Sequence, residues 1–157
     1  MGDKNRKTLL LVEDDMIIAM AQKKALERYG YDAIAVYSGE EAVALFKKSG
    51  AIDLILMDID LGKGMSGPDA ATVILKDHDV PVVFLSSHTE PEIVEQAEKI
   101  TSYGYVVKDS GITVLDASIK MAFKLFDANR RLSRSNEDLR HHSQLLENII
   151  ENFPGFV

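Results

Sequence analysis

The sequence predicts an α/β fold, a doubly wound sheet of five parallel strands with helices on both faces, continued by a long C-terminal helix. Two observations carry this expectation. Short apolar runs alternate with segments of helical period five times, the pattern of a parallel sheet covered on both sides. After Asp116 neither proline nor glycine occurs before Pro154-Gly155, which leaves room for one helix of about 40 residues and about 60 Å.

The first strand is expected near 8–13, where Leu9-Leu10-Leu11-Val12 runs into Glu13-Asp14. Met16 to Tyr29 follows as a helix stopped by Gly30, with Asp15 at its opening, where a negative charge suits the helix dipole. The second strand lies near 33–37, and Ser38 caps a helix from Glu40 to Lys48. The third strand, 53–58, ends on Asp58. Gly62, Gly64 and Gly67 then mark a loop whose turns need positive φ; a phosphate cradle is disfavoured because the Lys-Ser/Thr ending of such loops is missing. Helices at Pro68–Lys76 and Pro91–Ile100 flank the fourth strand, 81–86, each opened by a proline in its first turn. The fifth strand is expected at 104–107 and the fifth helix from Thr113, where Thr113-Val114-Leu115-Asp116 resembles a capping box.

Composition narrows the function. At 157 residues and 46% apolar content the chain suits one domain with an appendage and a substantial core. A net charge of −7, from 18 basic against 25 acidic residues, argues against a nucleic-acid surface. Lys4, Arg6 and Lys7 make only a short basic start. The absence of cysteine removes disulfides and thiolate metal sites and fits a cytoplasmic setting. No apolar stretch approaches the roughly 18 residues of a membrane span.

In a sheet of this kind ligands sit beyond the carboxyl ends of the strands, and Glu13, Asp14, Asp58, Ser86 and Lys108 all emerge there. Three carboxylates at one sheet edge repel unless a cation offsets them, and oxygen donors of this type suit Mg²⁺. One divalent ion and the Lys108 ammonium bring the formal charge of the cluster to zero. As a plain surface ion pair Asp58 and Lys108 would contribute little and would not need Glu13-Asp14 beside them. His78, His88, His141 and His142 lack metal-ligand spacing and are expected to face solvent.

Leu11-Val12-Glu13-Asp14, Leu56-Met57-Asp58, Pro81-Val82-Val83-Phe84-Leu85-Ser86-Ser87 and Gly104-Tyr105-Val106-Val107-Lys108 occur in an order and spacing that resembles the receiver domain of two-component response regulators, over about residues 6 to 126. The resemblance implies a flavodoxin-like sheet of order 2-1-3-4-5. It makes Asp58 the nucleophile that takes a phosphoryl group from a phosphohistidine of a histidine kinase or phosphotransfer partner, a signalling role rather than enzymatic turnover. It assigns Mg²⁺ to Glu13, Asp14, Asp58 and the backbone carbonyl of Asp60, and pairs Lys108 with Asp58 and then with the phosphoryl oxygens. Ser86 would grip a phosphoryl oxygen while Tyr105 enters the space it leaves, which makes these two the switch pair, read out on the fourth helix, fifth strand and fifth helix. The family commonly has proline after the lysine, often after a cis bond. Asp109 stands here, and a trans bond is expected because a non-proline cis bond costs about 3 kcal/mol. Asp60 and Ser87 occupy positions where the family tunes the lifetime of the phosphoryl group.

Two other readings compete. Asp58-Ile59-Asp60 also resembles the nucleophile motif of haloacid-dehalogenase phosphatases, though Gly62 stands where Thr or Val is usual and the acidic pair precedes the nucleophile strand. Alternatively the chain is the receiver part of a hybrid sensor histidine kinase. Beyond the receiver, Leu125, Leu132, Leu139 and Leu146 recur at a spacing of seven, with Asn129, Asn136 and Ser143 four residues after the first three. Leucine at d with polar residues at a suits a two-stranded coiled coil, so a homodimer through this helix is expected. The domain reading is therefore a receiver at 1–126, a helical linker at 127–152, and at 153–157 the start of a PAS-like sensor domain.

Overall fold

The computed structural model describes residues 6–48, 51–87, 95 and 103–152, with side chains described through 134. Its elements are β1 (Thr8–Val12), α1 (Met16–Arg28), β2 (Asp32–Val36), α2 (Gly39–Lys48), β3 (Leu54–Asp58), α3 (Gly67–Asp77), β4 (Val82–Ser86), β5 (Tyr105–Val107) and α4 (Ile112–Asn152). A single 3₁₀ turn, Lys108–Ser110, joins β5 to α4. The strands form one parallel sheet in the order β2-β1-β3-β4-β5, as expected. The helix expected at 91–100 lies outside the described residues apart from Glu95, as do His88 and the 153–157 segment.

Successive side chains of a strand point to opposite faces, and the central strands are apolar at nearly every position, so each face acquires its own core. On one face Leu10, Val12, Ile55, Met57, Val82 and Phe84 meet Ala42 and Phe46 of α2 and Ala70, Ala71 and Ile74 of α3. On the other, Leu9, Leu11, Leu54, Leu56, Val83 and Leu85 meet Ala19 and Leu26 of α1 and Leu115, Ile119 and Ala122 of α4. The chain divides into two units, Met1–Phe123 and Lys124–Val157; the first contains the sheet.

The caps at α1 and α2 follow the sequence. Asp15 accepts from the amides of Ile17 and Ile18, and the Ser38 hydroxyl accepts from the amide of Glu41. Three local expectations are corrected. Thr113 is not a cap: α4 starts at Ile112, the Leu115 amide donates to the Gly111 carbonyl, and Asp116 is engaged by Tyr31 and Lys120. Gly62 and Gly64 have positive φ, 71° and 89°, but Gly67 does not. Gly67 is required by close approach instead, since a Cβ there would overlap the carbonyl oxygen of Asp58. His78 is half-buried rather than solvent-facing, its ring 5.1 Å from that of Phe46.

Candidate functional site

Parallel register brings the strand ends together. Val12 pairs with Met57 and Asp58 with Leu85, so the residue following β1, Glu13, and the last residue of β3 fall at one level. Ser86 pairs with Val107, which places Lys108 one step beyond the next strand. The carboxylates of Glu13, Asp14 and Asp58 lie within 4.8 Å of one another. Glu13 and Asp58 are 1% and 2% exposed, whereas Asp14 is open to solvent. Ser86 is buried at the end of β4.

The Lys108 Nζ bridges two of these acids, 2.7 Å from Asp58 Oδ2 and 2.8 Å from Glu13 Oε2. Burial alone would lower the lysine pKa, but its contacts to Asp58 and then Glu13 outweigh burial and raise it. Asp58 shows the reverse balance. Burial pushes its carboxyl up to about 6, with Lys108 opposing through its hydrogen bond and the Glu13 charge adding to the rise. The Asp58 Oδ1 accepts from the backbone amide of Asp60 at 3.2 Å.

One ammonium against three carboxylates leaves two formal negative charges, the charge of a divalent cation. The donor set is all oxygen, with one open acid on the solvent side, and so fits Mg²⁺, which keeps several waters. The side chain of Asp60 is not in this cluster; its carboxylate accepts from the amide of Gly62 at 3.1 Å. Tyr105 is 38% exposed on β5. Leu125 and Leu132 are also exposed, at 40% and 61%, while the side chains of Leu139 and Leu146 lie outside those described.

Residues 9–120 match the response regulator receiver domain family. The chain belongs to that family. The chain is 30% identical over 154 residues to the transcriptional regulatory protein PdtaR of Mycobacterium tuberculosis, across 96% of this chain and 73% of the relative. It is 39% identical over 83 residues to the phyllosphere-induced regulator PhyR of Methylorubrum extorquens, across 52% of this chain and only 31% of that protein. Among solved structures it resembles the N-terminal domain of a response regulator/sensory box/GGDEF three-domain protein from Carboxydothermus hydrogenoformans, with 42% identity, a TM-score of 0.73, and coverage of 78% of this chain and 98% of that one. The haloacid-dehalogenase reading is not supported, because the match runs through the motifs on β1, β3, β4 and β5 in the receiver order. No helix among the described residues is long and apolar enough to cross a membrane.

Sequence reasoning missed two contacts between elements. Tyr31, in the turn before β2, donates to the buried Asp116. Glu40 reaches from α2 to the loop after β3. Both are pairs between elements distant in sequence, and only the topology brings them together.

Proposed function

We propose that Asp58 is the phosphoryl acceptor of this receiver domain, with a histidine kinase or phosphotransfer protein as donor. A carboxylate oxygen of Asp58 attacks phosphorus, the P–N bond of the donor phosphohistidine breaks, and the electron pair returns to the imidazole, which takes up a proton. Lys108 holds the acceptor carboxylate before transfer and offsets charge on the phosphoryl oxygens after it. Glu13, Asp14, Asp58 and the Asp60 carbonyl would hold Mg²⁺, which when bound neutralises charge on the transferring group. Ser86, buried at the neighbouring strand end, supplies a hydroxyl to a phosphoryl oxygen, and Tyr105 is the surface aromatic that responds. The observation that carries this reading is the Lys108 ammonium within 2.8 Å of both Asp58 and Glu13.

The output travels through α4. Its start is separated from Lys108 only by Asp109, Ser110 and Gly111, and exposed leucines at 125 and 132 begin the heptad. The reading is a homodimer through this helix, feeding a PAS-like domain that begins near 153. The three-domain organisation named for the Carboxydothermus relative supports that order.

The test is intact-mass spectrometry after treatment with acetyl phosphate and Mg²⁺. One phosphoryl group is expected on the native chain and none on Asp58→Asn; equal labelling of both overturns the assignment. Catalytic release of phosphate from a generic phosphomonoester, abolished by Asp60→Asn, would instead revive the phosphatase reading.

A further inference from the structure

The loop between β3 and α3 must return from the acid cluster to the start of α3; Leu61 anchors it in the core under α2 and α3, with Ile59 and Met65 packed against that core, and hydrogen bonds fix its two limbs. At the inner end the Asp60 amide donates to Asp58 Oδ1 and the Gly67 amide donates to the Ile59 carbonyl. At the tip Gly62 passes beside the cluster, since a Cβ there would come within 3.2 Å of Asp14 Oδ2. The far limb is held from another element. Glu40, in the first turn of α2, accepts a 2.6 Å hydrogen bond from the Met65 amide through Oε1.

That contact is built from both sides. Gly64 has φ of 89°, and a side chain on it would come within 2.7 Å of the same Oε1. Gly39 brings α2 close to the loop, with room for a Cβ only 3.2 Å from the Met65 carbonyl oxygen and 3.0 Å from Ala70 Cβ. Glu40 is solvent-exposed, and its carboxylate is held below its ordinary pKa first by the Met65 amide and then by its own backbone amide. Leu61 in the core and the inner hydrogen bonds hold the near limb of the loop, and the Met65 amide on Glu40 holds the far limb, on the other side of Gly62 and its approach to Asp14.

We infer that Glu40 is a positioning residue for the phosphoryl site: from α2 it pins the β3–α3 loop through Met65 and thereby sets the affinity of the acid cluster for a divalent cation. The inference rests on the reading that the acids and the Asp60 carbonyl hold Mg²⁺. It adds to that reading a residue from an element that contributes no ligand. Removing one hydrogen bond of this kind corresponds to a loss of about three- to tenfold in affinity.

The test uses the full chain with Mn²⁺ as a spectroscopic stand-in for Mg²⁺, its binding followed by electron paramagnetic resonance with competition by Mg²⁺. Glu40→Ala is expected to weaken binding about three- to tenfold, Glu40→Gln, which keeps an acceptor, to stay within about twofold of the native chain, and Gly64→Ala to weaken it from the loop side. In metal-free protein the Met65 amide resonance shifts in Glu40→Ala and Gly64→Ala. Unchanged cation affinity in Glu40→Ala with a displaced Met65 amide overturns the inference while leaving the metal site standing. Absence of Mn²⁺ binding to the native chain removes the metal reading itself, and the inference with it. Should Glu40→Ala melt below the assay temperature, Gly64→Ala and Glu40→Gln decide the matter.

Discussion

The Tyr31 phenol donates a 2.6 Å hydrogen bond to the carboxylate of Asp116, joining the turn before β2 to the second turn of α4. Lys120 reaches the other carboxylate oxygen at 2.9 Å. Burial first, and then the Asp116 hydrogen bond, raise the Tyr31 pKa above its ordinary value of 10.0. Tyr31 and Lys120 hold the Asp116 carboxyl below its usual 3.8 against the opposing effect of burial. Tyr31→Phe is expected to lower unfolding free energy by about 1.5–3 kcal/mol near neutral pH, the range for hydrogen bonds to charged groups, measured by urea titration. The raised tyrosine stabilises fully below pH 10.0 and loses its contribution as pH climbs through the folded value. The depressed carboxyl stabilises above 3.8 and loses its contribution as pH falls through the folded value. The gap between native chain and variant therefore narrows at both extremes. A gap independent of pH would show that the phenol acts by packing alone.

Asp58 has a second, distinct pH signature. Its folded pKa, about 6, lies above the unfolded 3.8, so this group stabilises the metal-free fold fully below 3.8 and the contribution disappears as pH rises through about 6. In EDTA at pH 7.5, Asp58→Asn is expected to melt above the native chain, with the two melting temperatures converging as pH falls below about 6. Acetyl phosphate labelling with Mg²⁺ is expected to decline at lower pH than this limb, because a cation beside the carboxylate favours its charged form. A native melting temperature higher than that of Asp58→Asn at pH 7.5 without metal would contradict the burial argument.

Gly67 tests the close approach of α3 to β3. An added methyl collides with the Asp58 carbonyl, which belongs to the backbone and cannot swing aside. Gly67→Ala is expected to destabilise by about 1–3 kcal/mol, as overpacking does, and to reduce labelling of Asp58 by moving its backbone. Gly30→Ala provides the contrast: it also carries a penalty, from a φ of 97°, yet a Cβ there meets nothing within 4 Å. Its labelling per folded molecule is expected to stay native.

A cation that binds only the folded state stabilises by mass action, about 2.7 kcal/mol when present at one hundred times its Kd. Thermal melts in rising MgCl₂ are expected to move upward until the site saturates, and Asp14→Asn to flatten that response. Asp14 is the exposed member of the cluster, so its replacement removes a proposed cation ligand while disturbing little of the core. An equal response in both proteins would move the cation elsewhere.

Much of the fold was legible because its signals are local. Leu9 to Val12 and Leu54 to Met57 are too apolar for anything but buried strands, and each ends in the acid that serves the site. The cluster itself was legible because a parallel sheet lines up its strand ends, so reading the last residue of each strand amounts to reading the site. What escaped depends on geometry between elements. Thr113 and Asp116 have capping-box spacing, but the helix after the Lys108–Ser110 turn starts at Ile112 and leaves Asp116 to meet Tyr31. Three glycines in one loop looked alike, and only the return of α3 against Asp58 separates Gly67 from the other two. Glu40 carries no sequence signal, because its partner is a backbone amide 25 residues away.

The strand order has a consequence for biosynthesis. Because β1 lies between β2 and β3, a nascent chain can build only the β1–β2 ladder until Leu54 clears the ribosome, and meanwhile the most apolar strand shows an open edge. Such edges recruit other chains. A pause that holds the chain after Val36 but before Leu54 has emerged would thus expose the protein most to aggregation, and synonymous codons downstream of Leu54 that slow elongation while residues 36–54 are leaving the tunnel are expected to lower its soluble yield.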